Sequence, residues 1–266
     1  MKFESGRKGD RRSRILKTAS RRESAMLTIN HLTKHYKEST KGVTDISLVI
    51  EAGDIYAFIG HNGAGKTTTL KCIAGIHGFD SGEILVDGIS VREDPIACKR
   101  KIAYIPDNPD LYEYLTGIQY LNFIADIFEV SVPDREKRIE RYAAAFEITE
   151  SLGDLISSYS HGMKQKLAII SALVHQPKLL ILDEPFVGLD PKAAVILKEI
   201  MRGICREGGA IFFSTHVLDV AEKLCNKVAI VKDGRLIASG AMDEIVKEGK
   251  SLESIFMEVV SHDETN

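Results

Sequence analysis

The chain has 266 residues, 44% hydrophobic and 27% charged, the composition of a globular protein with room for one large domain or two small ones. No apolar run approaches the roughly 18 residues of a membrane span, so any membrane role has to come through a partner. Net charge is −3, but residues 1–25 hold nine Lys/Arg against three Asp/Glu; the rest therefore carries −9, which argues against broad nucleic-acid binding. The basic stretch has no apolar core segment and so is not a secretory signal. It reads as a solvated, disordered tail or an upstream extension, with contact to anionic lipid or nucleic acid as the alternative. Met26, directly before the first strand pattern, suits a natural start.

Leu27-Thr28-Ile29-Asn30 alternates apolar and polar side chains, as a half-buried strand does. Ile46 to Ile50 predicts a second strand, ended by the Ala52-Gly53-Asp54 turn. Ile55-Tyr56-Ala57-Phe58-Ile59 is short enough for a buried strand. It runs into Gly60-His61-Asn62-Gly63-Ala64-Gly65-Lys66-Thr67, which reads G-x-x-x-x-G-K-[ST], the phosphate-binding P-loop pattern. Leu70, Ile73 and Ala74 then recur at helical spacing and predict a helix to about Ile76. Gly63 and Gly65 let the backbone curl so that several N–H groups point at one phosphate, and the helix N-terminus adds positive partial charge. Lys66 would reach the β- and γ-phosphates and the Thr67 hydroxyl would ligate Mg²⁺.

Asp80-Ser81-Gly82 reads as a turn, Glu83 to Val86 as a strand stopped by Asp87-Gly88, and Ile102 to Ile105 as another strand. After Pro106-Asp107-Asn108-Pro109 the pattern becomes helical as far as about Leu155. Thr116 and Gln119 form a capping box before an apolar face of Leu121, Ile124, Ala125 and Phe128. Pro133 suits the first turn of a further helix carrying Ile139, Tyr142, Ala143 and Phe146. This is a helical insertion of about 45 residues inside an α/β core. The core resumes at Leu179 to Leu182, a continuous apolar run of the kind that parallel strands buried on both faces show. A helix capped by Asp190 ends at Gly208-Gly209. Ile211 to Phe213 is a strand, Val217 to Leu224 a helix and Val228 to Val231 a strand. Asp233-Gly234 turns into Leu236-Ile237-Ala238, and Asp243 to Val260 gives one or two amphipathic helices. The four cysteines, Cys72, Cys98, Cys205 and Cys225, show no C-x-x-C pair and suit neither zinc nor a disulfide framework; the usage fits a reducing cytoplasm.

Leu182-Asp183-Glu184-Pro185 narrows the chemistry. An acid at the end of a buried strand can hold Mg²⁺, and Glu184 beside it can orient and polarise an attacking water. Two adjacent buried carboxylates are costly without a cation, and Mg²⁺ and Lys66 would supply one.

Tyr36, the P-loop, Tyr159-Ser160-His161-Gly162-Met163, Leu182-Asp183-Glu184-Pro185, Gly188-Leu189-Asp190 and Ser214-Thr215-His216 occur in an order and spacing that resembles the ATPase subunits of ABC transporters, from Met26 to about Gly240. Ser-x-Gly-Met-Lys-Gln-Lys and Asp-Glu-Pro-Phe are most similar to those of bacterial ABC-2-like exporters, especially the Ecs type. The resemblance implies an α/β P-loop NTPase of ABC type: a RecA-like core, an N-terminal antiparallel β subdomain and a helical subdomain at about 108–157. The C-terminal helical extension covers 241–266.

It also implies ATP and Mg²⁺ as cofactors. Gly60, Asn62, Gly63, Ala64, Gly65, Lys66, Thr67 and Thr68 would surround the phosphates, and Tyr36 would stack on the adenine. Ser160 and Gly162 would contact the γ-phosphate bound by the other subunit. Ser160 is also a natural N-cap for the helix carrying Leu167, Ile170 and Val174, and both roles can hold. His216 matches a switch histidine at the γ-phosphate, and Asp190 matches a loop that communicates across the dimer while also capping its helix. Thr67, Asp183 and Asp107 would surround the metal, with Glu184, His216 and Lys66 as the catalytic set.

The chain departs from the pattern at two places. Asp107 stands where the family usually has Gln; its carboxylate is a competent Mg²⁺ ligand but adds negative charge near the triphosphate. His161 and Met163 replace the signature's first Gly and its Gln. The expected function is ATP-driven transport, most like export, at the cytoplasmic face of the cell membrane. The expected partners are a second ATPase subunit and a separate permease, with no nucleic acid. Leu111, Tyr112, Tyr114 and Leu115 are candidates for the permease surface or, alternatively, for packing of the helical insertion. A soluble ABC-type ATPase acting on a macromolecular partner, and a non-hydrolysing regulatory module, are the competing readings.

Overall fold

The computed structural model describes residues 25–37, 41–246 and 249–261. The basic stretch 1–24, expected to be a tail, lies outside the described residues.

The chain begins with β1 (Ala25–His35), β2 (Gly42–Glu51) and β3 (Ile55–Ile59), followed by α1 (Lys66–Ile73), β4 (Ser81–Val86), β5 (Ile89–Ser90), α2 (Pro95–Lys101) and β6 (Ile102–Ile105). Helices α3 (Gly117–Ile127), α4 (Val132–Ala145) and α5 (His161–Leu173) come next, with two short 3₁₀ turns before α5. The remainder is β7 (Leu179–Asp183), α6 (Pro191–Arg206), β8 (Ala210–Thr215), α7 (Leu218–Leu224), β9 (Lys227–Lys232), β10 (Arg235–Ala241), α8 (Met242–Ile245) and α9 (Leu252–Ser261).

Six strands form one sheet in the order β10-β9-β3-β8-β7-β6, and four form an antiparallel sheet in the order β2-β1-β4-β5. Within the larger sheet β3 runs parallel to both β8 and β9, and β7 runs parallel to β6 and β8, while β10 turns back antiparallel on β9. The unbroken apolar run of β7 has a simple cause: each of its faces meets a different core. Leu180 and Leu182 pack with Leu167, Ile170 and Leu197 on the side of α5 and α6. Leu179 and Ile181 pack with Leu70 and Ile73 of α1 and with Ile29 and Ile84 of the antiparallel sheet. Burying a Leu or Ile contributes about 1.5–3 kcal/mol each, so this double-sided packing is what anchors the strand that ends at Asp183.

The Thr116–Gln119 capping box forms as expected: Thr116 Oγ1 accepts the Gln119 N–H, and Gln119 Oε1 accepts the Thr116 N–H at 2.9 Å. Three local expectations give way. The strand expected at Glu83 begins at Ser81, inside the presumed turn, because Thr33 and Ser81 already pair across β1 and β4. The P-loop helix stops at Ile73, where Gly75 turns the chain with φ +66°. Helix α2 is unforeseen; Asp94 caps it by accepting the Ala97 N–H at 2.9 Å, but it buries only Cys98 and so has little hydrophobic periodicity to read. The four candidates for a permease surface or for packing of the insertion divide between the two. Leu111 is buried and Leu115 packs on the core, whereas Tyr112 and Tyr114 are exposed and stack with centroids 5.9 Å apart.

Candidate functional site

Adjacent parallel strands β3, β8, β7 and β6 deliver their carboxyl ends to one edge of the sheet, where α/β sheets bind ligands. The P-loop leaves β3, His216 follows β8, Asp183 ends β7 with Glu184 after it, and Asp107 follows β6. Residues separated by up to about 150 positions thus meet because of strand order alone. All but His216 lie in a cleft of about 380 Å³ whose walls include Tyr36, Asn62, Gly63, Gly65, Lys66, Thr67, Thr68, Asp107, Asp183 and Glu184.

 
Lys41 and Gly42 complete that wall.

Gly63 and Gly65 take φ +86° and +101°, the left-handed region that L side chains avoid, and a Cβ on Gly65 would come 2.5 Å from Val43 Cγ1. The loop can therefore wind tightly only with glycine there. Ala64 is buried at its back, where its carbonyl accepts the Gly234 N–H at 3.1 Å and ties the loop to the β9–β10 hairpin. Lys66 Nζ donates to the Gly60 carbonyl at 2.8 Å and lies 3.8 Å from Glu184 Oε1. Burial pulls the Lys66 ammonium below its ordinary pKa, while Glu184 and Asp183 work in the opposite direction.

Asp183 is 2% exposed. Thr67 Oγ1 donates to its Oδ2 at 2.6 Å, and the Ser214 hydroxyl donates to Oδ1. Burial raises the Asp183 pKa despite both hydrogen bonds, and the charges of Asp107 and Glu184 raise it further. A buried carboxylate held by neutral hydroxyls beside two other acids fits a divalent cation. The donors are hard oxygens, and Mg²⁺ takes carboxylate, hydroxyl, phosphate and water oxygens. Thr67, Asp183 and Asp107 are the side chains on the cleft wall that would hold it.

Glu184 adopts φ +49°, uncommon for a residue with a Cβ. Its N–H donates to the carbonyl of Ser214 at 3.2 Å and to the Ser214 hydroxyl at 3.1 Å, so β8 holds the strained turn in place. One carboxylate oxygen faces Lys66; the other accepts from His216 Nδ1 at 2.9 Å and from the His216 N–H at 3.3 Å. Tyr36 is 37% exposed, meets His77 edge-on with centroids 6.1 Å apart, and has its hydroxyl 3.4 Å from Thr68 Oγ1.

Ser160 and Gly162 lie outside the cleft walls, at the start of α5. Ser160 is exposed, and its Oγ accepts the Met163 N–H at 3.3 Å. His161 lies against Gly188, where φ is +80° and a Cβ would sit 2.6 Å from His161 Cδ2. Asp190 Oδ1 accepts the Ala193 N–H at 2.8 Å, and Asp190 Oδ2 pairs with Lys166 Nζ at 2.8 Å. The start of α5 and the loop before α6 are thus joined at both His161 and Lys166. Sequence reasoning did not single out Ser214 as a site residue or Lys41 as part of the wall. Ser214 could have been found as the polar end of an apolar strand two residues before His216; Lys41 had no such signal.

Residues 43–187 match the family described as ABC transporter. EcsA, an ABC-type transporter ATP-binding protein of Bacillus subtilis (strain 168), is 33% identical over 90% of this chain and 98% of its own length. An ABC transporter ATP-binding protein of Nostoc sp. is 36% identical over 75% of this chain, which spans 60% of that longer protein. A solved structure of the ATP-binding subunit of an ABC transporter is 35% identical, with a TM-score of 0.84 over 88% of this chain and 99% of that one. With this match along most of its length, the chain belongs to the ABC transporter family as an ATP-binding subunit, an ABC-type ATPase.

Proposed function

We propose that two copies of this chain, or this chain and a similar one, close head-to-tail around two ATP molecules and that this cycle powers transport, most like export, through a separate membrane permease. The observation that carries the dimer is the position of Ser160 and Gly162. The cleft gathers the P-loop, Asp183 and Glu184, while the start of α5 lies outside its walls. A helix N-terminus with free N–H groups is a phosphate site, and a second subunit would bring one to the open side of the nucleotide.

Within the cleft, Lys66 and the loop N–H groups stabilise charge on the β- and γ-phosphates, and Tyr36 supports the adenine ring. Thr67, Asp183 and Asp107 would hold Mg²⁺, which would offset phosphate charge. Glu184 orients the attacking water and accepts its proton. His216 donates through Nδ1 to Glu184, which fixes its ring and leaves Nε2 for the γ-phosphate. Asp190 and Lys166 link the partner-facing loop to α5.

No helix among the described residues is long and apolar enough to cross a membrane, so transport needs a membrane partner. Exposed Tyr112 and Tyr114 next to the Asp107 loop offer it a surface. The test is to express tagged Glu184→Gln in the native cell, solubilise membranes in mild detergent and identify what co-purifies with MgATP. A polytopic membrane protein in stoichiometric amount is expected. Recovery from the soluble fraction with ribosomal or DNA-bound partners would overturn the transport reading.

A further inference from the structure

The charges on the cleft walls do not balance. The walls carry two cations, Lys41 and Lys66, and three carboxylates, Asp107, Asp183 and Glu184. Without Asp107 the formal charges cancel; with it the wall is negative. The three acids do not occupy equivalent places. Asp183 is buried under the Thr67 and Ser214 hydroxyls, and Glu184 faces Lys66 and His216. Asp107 is exposed on the loop after β6, and its Oδ1 accepts the N–H of the adjacent Asn108 at 2.9 Å. It is nevertheless close enough to Asp183 for the two charges to repel.

We propose that Asp107 makes nucleotide entry conditional on a divalent cation, so that this ATPase rejects metal-free ATP more sharply than a neutral side chain at 107 would permit. The inference rests on the cleft being the nucleotide site. Metal-free ATP brings a triphosphate of high negative charge to a wall that is already negative, and Asp107 repels it. With a divalent cation on the phosphates the same carboxylate faces a positive centre, and the sign of its contribution reverses. A unit charge at a few ångströms in a partly solvated cleft changes a binding constant by about tenfold, and added salt weakens the effect. Asp183 and Glu184 contribute charge of the same sign, but they are engaged by hydroxyls, Lys66 and His216. Asp107 is the exposed member of the three.

The experiment is calorimetric titration of the full-length protein with the non-hydrolysable analogue AMP-PNP at low ionic strength, once with excess Mg²⁺ and once with excess EDTA. The quantity read is the ratio of the two dissociation constants. Asp107→Gln is expected to reduce that ratio about tenfold, chiefly by tightening binding in EDTA. Asp107→Asn should act in the same direction, and high salt should narrow the wild-type gap. A ratio unchanged in both variants would overturn the inference while leaving the nucleotide site intact. Wild-type protein that failed to bind AMP-PNP even with Mg²⁺ would overturn the site reading, and this inference with it.

Discussion

Exchanging Glu184 for Gln is expected to lower ATP turnover by about 10²–10⁴-fold while ATP binding is retained, the range for removing a positioned general base. The amide preserves size and one hydrogen-bond acceptor, so the His216 contact can survive in part. It cannot take a proton from water. The backbone at Glu184 is held by two bonds to Ser214 that the substitution leaves untouched, so the loss should appear in kcat with little change in nucleotide affinity. Single-turnover hydrolysis and calorimetric ATP binding, measured on the same preparation, separate the two.

Exchanging Lys66 for Ala should act on the opposite quantity. The ammonium is 7% exposed, and its Nζ is held by the Gly60 carbonyl at the floor of the cleft. Truncating one partner of a desolvated charge pair costs about 2–5 kcal/mol, equivalent to a loss of roughly 30- to 5000-fold in affinity for MgATP. Equilibrium binding of MgATP checks this. A loss of only a few-fold would mean that the P-loop N–H groups hold the phosphates without the lysine. The fold should persist, because Lys66 leads a helix whose Leu70 and Ile73 remain packed.

Much of this arrangement was legible in the sequence because it rests on local rules. The P-loop is contiguous, its glycines have a backbone reason, and the apolar run into Asp183 marks a strand covered on both faces. The capping box at Thr116 is a four-residue signal and forms as read. What escaped depends on partners far along the chain. Ser214 holds both Asp183 and Glu184 only because β8 lies beside β7 in the sheet. Lys41 reaches the cleft wall through the position of β2, and no pattern around it announces that. The sequence leaves Leu111 open between a docking surface and packing of the insertion, because a short loop gives no periodicity from which to tell the sides apart; it packs inward. His161 departs from the family pattern in a way sequence could notice, but its contact with Gly188 needs the α5–loop junction to be seen.

Under the proposed function, each catalytic site is completed by a second subunit. ATP turnover per chain, measured at saturating MgATP over a wide dilution series, tests it most directly. If Ser160 and Gly162 act on the partner's nucleotide, turnover per chain falls in step with concentration once the dimer dissociates, and added unlabelled Glu184→Gln chain changes the rate by forming mixed dimers. Turnover per chain that stays constant down to concentrations where sedimentation finds only monomer would contradict the account.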